Sequence, residues 1–186
     1  MIAHHLERPV ARACVVLALL ALAACTRPKK HEGAGVHAKG SCDITLSGAQ
    51  TGSFKCGGQD SPSDGPLLTY DAAKDQTNVN EAFNAPGDAP DCQVGLGFTG
   101  KATVGTTYSL DSPGADGQAT VHRGDQRWTA ASKPLAGAIT ITFTTLDGSS
   151  SLAGRTAWST MHGTIVATMP AAGGGAKGTV TATAKF

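Results

Sequence analysis

The chain has 186 residues, with 15 Lys and Arg against 14 Asp and Glu, 16% charged residues, 24 glycines and 5% aromatics. So little charge and so much glycine exclude a helical bundle, and threonines in alternating runs give a β-protein composition. Residues 41–186 hold nine basic against twelve acidic side chains, net −3, which disfavours a nucleic-acid partner.

Arg8 and Arg12 precede twelve uninterrupted apolar residues, Ala13 to Ala24, a run of signal-peptide length that is too short to span a bilayer. It ends Leu22-Ala23-Ala24-Cys25, which resembles the lipobox of bacterial lipoproteins. The resemblance covers the first 25 residues. It implies that the peptide bond before Cys25 is cut, that the Cys25 thiol is diacylated and that the new amino terminus is acylated. Two or three acyl chains, at ~0.8 kcal/mol per buried methylene, make a firm membrane anchor. The implied address is the bacterial cell envelope, and Thr26 after the acylated cysteine implies the outer membrane where the source has two. Cys14 lies within the apolar run and leaves with it.

The chain therefore divides into a signal peptide at 1–24, a lipidated tether at 25–40 and one domain at 41–186. The tether is rich in Gly, Lys and His, has almost nothing to bury, and reaches roughly 20 Å as a flexible coil. His31-Glu32 and His37 are too far apart for a zinc-protease helix, whose second histidine comes four residues after the first.

Cys42 to Leu46 alternates apolar and polar residues and is answered by Gly52 to Cys56 after a short polar turn, the pattern of a hairpin. Antiparallel partners keep a constant sum of residue numbers, so if Ile44 faces Phe54, Cys42 faces Cys56. In an exported protein that pair should oxidise, stabilising by ~3 kcal/mol in the chain-entropy model. The alternative pairs Cys56 with Cys92 across the intervening segment.

Gly57 to Asp91 reads as one long acidic loop, broken by Leu67 to Tyr70 and by a turn of helix around Val79 to Phe83. Asp71, Asp75, Asn78, Asn80 and Glu81 supply oxygen ligands, but the calcium-loop order and its central glycine are missing, so solvated turns are expected there. Neither a metal nor a cofactor is expected.

Strand-like stretches follow at Cys92–Phe98, Lys101–Leu110, Gln118–Arg123, Ala138–Thr145, His162–Met169 and Thr179–Phe186, with Asp147 to Ser151 read as a hairpin turn. Ile139, Ile141 and Phe143 alternate with threonines, as do Val180, Ala182, Ala184 and Phe186, so one face is buried and the other wet. The expected fold is all-β, a single antiparallel β-sandwich domain of about 7–9 strands with one long loop.

Catalytic patterns are sparse. No Gly-x-Ser-x-Gly occurs, and the domain's two histidines, His122 and His162, are far apart in sequence. Trp128 and Trp158 are candidate binding residues if exposed, and core residues if not. The domain resembles the small β-rich lipoproteins of unknown function that bacteria export, a likeness of composition that assigns no catalytic residue. The function expected is an envelope-anchored binding or structural module rather than an enzyme, with an envelope polymer, glycan or protein as partner. The alternative is a hydrolase or metal enzyme whose site assembles across strands from His122, Asp125 and His162.

Overall fold

A computed structural model describes residues 42–56, 66–83, 90–152 and 154–186, except for the side chains of 82, 83 and 152. The signal segment, Cys25 and the tether lie outside the described residues. Twelve strands form: β1 (Asp43–Gly48), β2 (Gly52–Lys55), β3 (Leu67–Asp71), β4 (Gln76–Phe83), β5 (Asp91–Thr99), β6 (Thr107–Ser109), β7 (Asp116–Arg123), β8 (Gln126–Ser132), β9 (Leu135–Ala136), β10 (Ala138–Leu152), β11 (Arg155–Gly173) and β12 (Thr179–Lys185). All pairings are antiparallel and all twelve strands belong to one hydrogen-bonded sheet.

Strand β11, 19 residues long, organises that sheet. Its first residues, Arg155 to Ala157, pair with β3, and its last, Ala171 and Gly173, pair with β8. Because β3, β4, β5, β7 and β8 are paired in series, the ladders close into a circuit through β11. Closure leaves no edge within the circuit itself, and the edges of the sheet lie on the branch strands β2, β6 and β9. Strands β12, β1 and β2 continue from one flank of β11, and β10 and β6 from the other.

The alternating runs behave as a half-buried sheet requires. Ile139, Ile141, Phe143, Val180, Ala182, Ala184 and Phe186 are buried, while Thr140, Thr142, Thr181 and Thr183 are half-buried on the opposite face. An aromatic chain crosses the interior from β5 to the end of β12. Phe98 stacks on Tyr108 at 3.8 Å, Tyr108 tilts against Phe143 at 6.3 Å, and Phe143 meets Phe186 edge-on at 6.2 Å. Phe186 is held by its backbone as well, since Gly163 N–H donates to its carbonyl and its own N–H donates to the Gly163 carbonyl.

Twelve strands among the described residues exceed the seven to nine expected, and the surplus consists of β3, β4, β8 and β9. The segment read as a long loop with a helical turn contains the β3–β4 hairpin. Residues 79–83 are strand, because Thr77, Val79 and Glu81 point inward at a period of two, not 3.6. Thr77 and Glu81 are the polar members, and the Thr77 hydroxyl donates to the Gly100 carbonyl at 2.6 Å. Ser149 to Ser151 are not a turn: β10 runs through them, pairing Ser149 with Trp158 and Ser151 with Thr156. Of Lys101–Leu110, only Thr107–Ser109 is strand.

The hairpin register is the expected one, Ile44 opposite Phe54, and the Cys42–Cys56 disulfide forms across a Cα separation of 5.3 Å. Cys92 is a buried free thiol, so the Cys56–Cys92 alternative is set aside.

Candidate functional site: a polar trough over glycine

The β4–β5–β7 part of the sheet carries a trough of about 290 Å³ on its outer face. Period-two geometry puts Gln76, Asn78 and Asn80 of β4 outward while Thr77, Val79 and Glu81 point inward. Opposite them on β5 stand Gly95 and Gly97, between the inward Val94, Leu96 and Phe98. The next strand brings Gln118 beside Gly95 and Asp116 beside Gly97. Two amide-bearing walls thus face each other across a floor of bare backbone.

The floor depends on glycine. A Cβ on Gly97 would lie 3.0 Å from Asn78 Oδ1 and 3.3 Å from Gln76 Nε2, and one on Gly95 would lie 3.1 Å from Asn80 Oδ1. The amides lean into space that any side chain would fill. Asp116 sits at one end. The Ser132 hydroxyl donates to its Oδ1 at 2.6 Å and Lys133 Nζ lies 3.7 Å from its Oδ2, and in that order of influence they hold its pKa below the usual carboxylate range. The trough therefore presents neutral amide donors and acceptors with one ionised carboxylate at its end. Among the described residues its lining has one titratable side chain, Asp116, so it supports hydrogen-bonded recognition.

The residues singled out from sequence do not gather there. Trp128 and Trp158 are 1% and 4% exposed, so both are core residues and neither presents a ring to a ligand. Trp128 Nε1–H donates to the Lys177 carbonyl at 3.1 Å, and Lys101 Nζ lies 5.8 Å from the Trp158 ring centre. His122, Asp125 and His162 are exposed, and His162 stands apart from the other two. His122 pairs with Arg127, whose row meets β11 at Gly173, whereas His162 stands on β11 opposite Thr145. Eleven residues of strand, roughly 35 Å of contour, separate those two points on β11. Among the described residues these three do not gather into one cluster.

The calcium ligands scatter too. Asp71 is engaged by Lys74 and Arg155, and Asp75 accepts from the Tyr70 hydroxyl at 2.8 Å, a bond that raises the Tyr70 pKa. Asn78 and Asn80 line the trough and Glu81 is buried on the opposite face of the sheet.

Burial, and secondarily the Glu81 charge, push the Cys92 thiol up to about 12 from an ordinary 9.0. Thiolate is the reactive form, so Cys92 in the folded chain should resist a thiol-alkylating reagent at pH 8 and react promptly in denaturant. Peptide mapping of alkylated native protein checks this, and labelling of Cys92 at equal rates in both states would contradict it. The sign of the linkage follows. Between pH 9 and about 12 the unfolded chain ionises Cys92 and the folded chain does not, so stability falls as pH rises through that window.

Among the described residues no helix is long and apolar enough to cross a membrane. No protein-family model matches the chain, and no curated protein or solved structure is significantly similar to it.

Proposed function

We propose that the chain is a lipid-anchored binding module of the bacterial cell envelope, which holds a segment of neutral, hydroxyl- and amide-bearing polymer in the β4–β5–β7 trough. The observation that carries this reading is the pair of amide walls, Gln76, Asn78 and Asn80 against Gln118, over the bare backbone of Gly95 and Gly97. Amides both donate and accept, so they pair with hydroxyl and acetamido groups without requiring charge. A glycine floor lets a flat ligand approach the main chain. A glycan strand of the envelope fits this chemistry. With the tryptophans buried, recognition rests on hydrogen bonds rather than on ring stacking. In this reading the closed sheet is folded as two layers about one core, a sandwich, with the trough on one outer face and the threonine-rich face on the other.

The experiment is calorimetric titration of the full chain in detergent with a panel of neutral oligosaccharides, N-acetylated ones included. Binding by one of them, lost in Gly97→Val while the thermal transition is kept, is the expected result. A panel without a binder, or a Gly97→Val chain that binds as the parent does, would overturn the reading.

The anchor rests on the lipobox and is tested separately. Intact-mass spectrometry should find a mature chain that begins at Cys25 and carries diacylglycerol and an amide-linked acyl chain. A free Cys25 thiol, or a start elsewhere, would remove it.

A further inference from the structure

Opposite the trough, on the inner face of β4, the interior holds a cluster that hydrogen-bonded recognition does not use. The Sγ atoms of Cys42 and Cys56 and a carboxylate oxygen of Glu81 all lie within 4.8 Å of one another, and all three residues are buried. Their exposures are 2%, 0% and 7%. The sulfurs come from the ends of the β1–β2 hairpin and the carboxylate from β4, so the tertiary fold creates the cluster.

We propose that these three side chains form a redox-gated site for a thiophilic divalent ion such as zinc, closed while Cys42 and Cys56 share a disulfide and opened when a dithiol reduces it. Reduction breaks one S–S bond. The reductant supplies two electrons and two protons and leaves as its own disulfide, and Cys42 and Cys56 become thiols. The ion then replaces the two thiol protons, which pass to solvent, and is bound by two thiolates and one carboxylate.

Size, donor type and charge each support the site. Zinc takes sulfur at about 2.3 Å and carboxylate oxygen at about 2.0–2.2 Å, so donors on one ion lie at most roughly 4.6 Å apart; the Glu81 oxygen already lies within 4.8 Å of both sulfurs, which part from bonding distance on reduction. Two thiolates favour zinc over harder cations. Two thiolates, a carboxylate and a divalent ion sum to −1, so the ion cancels two of the three negative charges that its donors carry. Three protein donors leave a fourth tetrahedral position for water.

The test uses the full chain in detergent, reduced with a phosphine so that no added thiol competes, and cobalt(II) as a coloured stand-in for zinc. One cobalt per chain, with thiolate-to-cobalt absorption that zinc abolishes, is expected after reduction and not before it. Cys42→Ser should remove the absorption. Glu81→Gln should weaken binding by more than the roughly 10–100-fold that loss of an outer-shell partner costs. Cys92→Ser should leave the spectrum unchanged. Release of two protons should raise the apparent affinity about a hundredfold per pH unit while both thiols are protonated. A reduced chain that keeps its β-sheet circular dichroism without the absorption overturns the proposal, as does a Glu81→Gln chain that binds like the parent. If reduction unfolds the chain, zinc must restore the native spectrum in the parent and not in Glu81→Gln; failure of that rescue overturns the proposal equally.

Discussion

Replacing Trp128 with alanine should cost about 3–5 kcal/mol, the range for truncating a fully buried tryptophan. For a domain of this size the thermal midpoint should then fall by roughly 6–20 °C. Trp128 is 1% exposed and sits where the ladder circuit closes, flanked by Val121 on β7 and Ala171 on β11. Its indole fills the core beneath that seam, and its Nε1–H binds the Lys177 carbonyl in the connection from β11 to β12. Truncation opens a cavity where the circuit is held by only two β8–β11 residue pairs. Trp128→Phe keeps most of the volume and loses the hydrogen bond, so a smaller drop is expected. Thermal unfolding followed by circular dichroism measures both variants. If Trp128→Ala loses less than about 1 kcal/mol, the seam does not depend on the indole.

Gly163→Ala should destabilise by about 1–3 kcal/mol and Gly163→Val by more, reversing the usual benefit of replacing a strand glycine. A Cβ at position 163 would lie 2.4 Å from the Thr142 carbonyl oxygen, 2.9 Å from Phe186 Cζ and 3.2 Å from Phe143 Cα. Two of those three atoms are backbone, so neither can swing away. Gly163 lies beside the bulge at which β10 skips Thr144, and it exchanges two hydrogen bonds with Phe186. A side chain there would push β10 and the end of β12 apart together. Gly173 is the control. A Cβ at that position meets only the Arg127 guanidinium at 3.7 Å and beyond, so Gly173→Ala should be neutral or mildly stabilising. Guanidinium unfolding of the three variants decides it, and a Gly163→Ala chain as stable as Gly173→Ala would contradict the packing described.

The amino-acid pattern alone determined the β class, the inward and outward faces of the threonine-alternating strands and the hairpin register that sets Cys42 opposite Cys56, while the choice of that pair over Cys56–Cys92 was left to the structure. Each of these depends on short-range geometry. A period of two assigns faces without knowledge of the partner strand, and a constant residue sum across a tight hairpin brings the two sulfurs together. Strand β4 was hidden because Asn and Glu are poor strand formers, and β3, although Leu67 to Tyr70 favours a strand, showed no partner until β4 paired with it. The trough was half legible. Gln76-x-Asn78-x-Asn80 and Gly95-x-Gly97 each show alternation, but their meaning arises only when β4, β5 and β7 align in register. That register joins residues up to about forty positions apart, and no local rule sets it. Long-range contacts likewise buried both tryptophans, kept His122 and His162 apart, closed the ladders through β11 and carried Glu81 to the disulfide. Backbone geometry is decided within a few residues, whereas enclosure and the meeting of distant side chains are decided by how strands pair across the whole sheet.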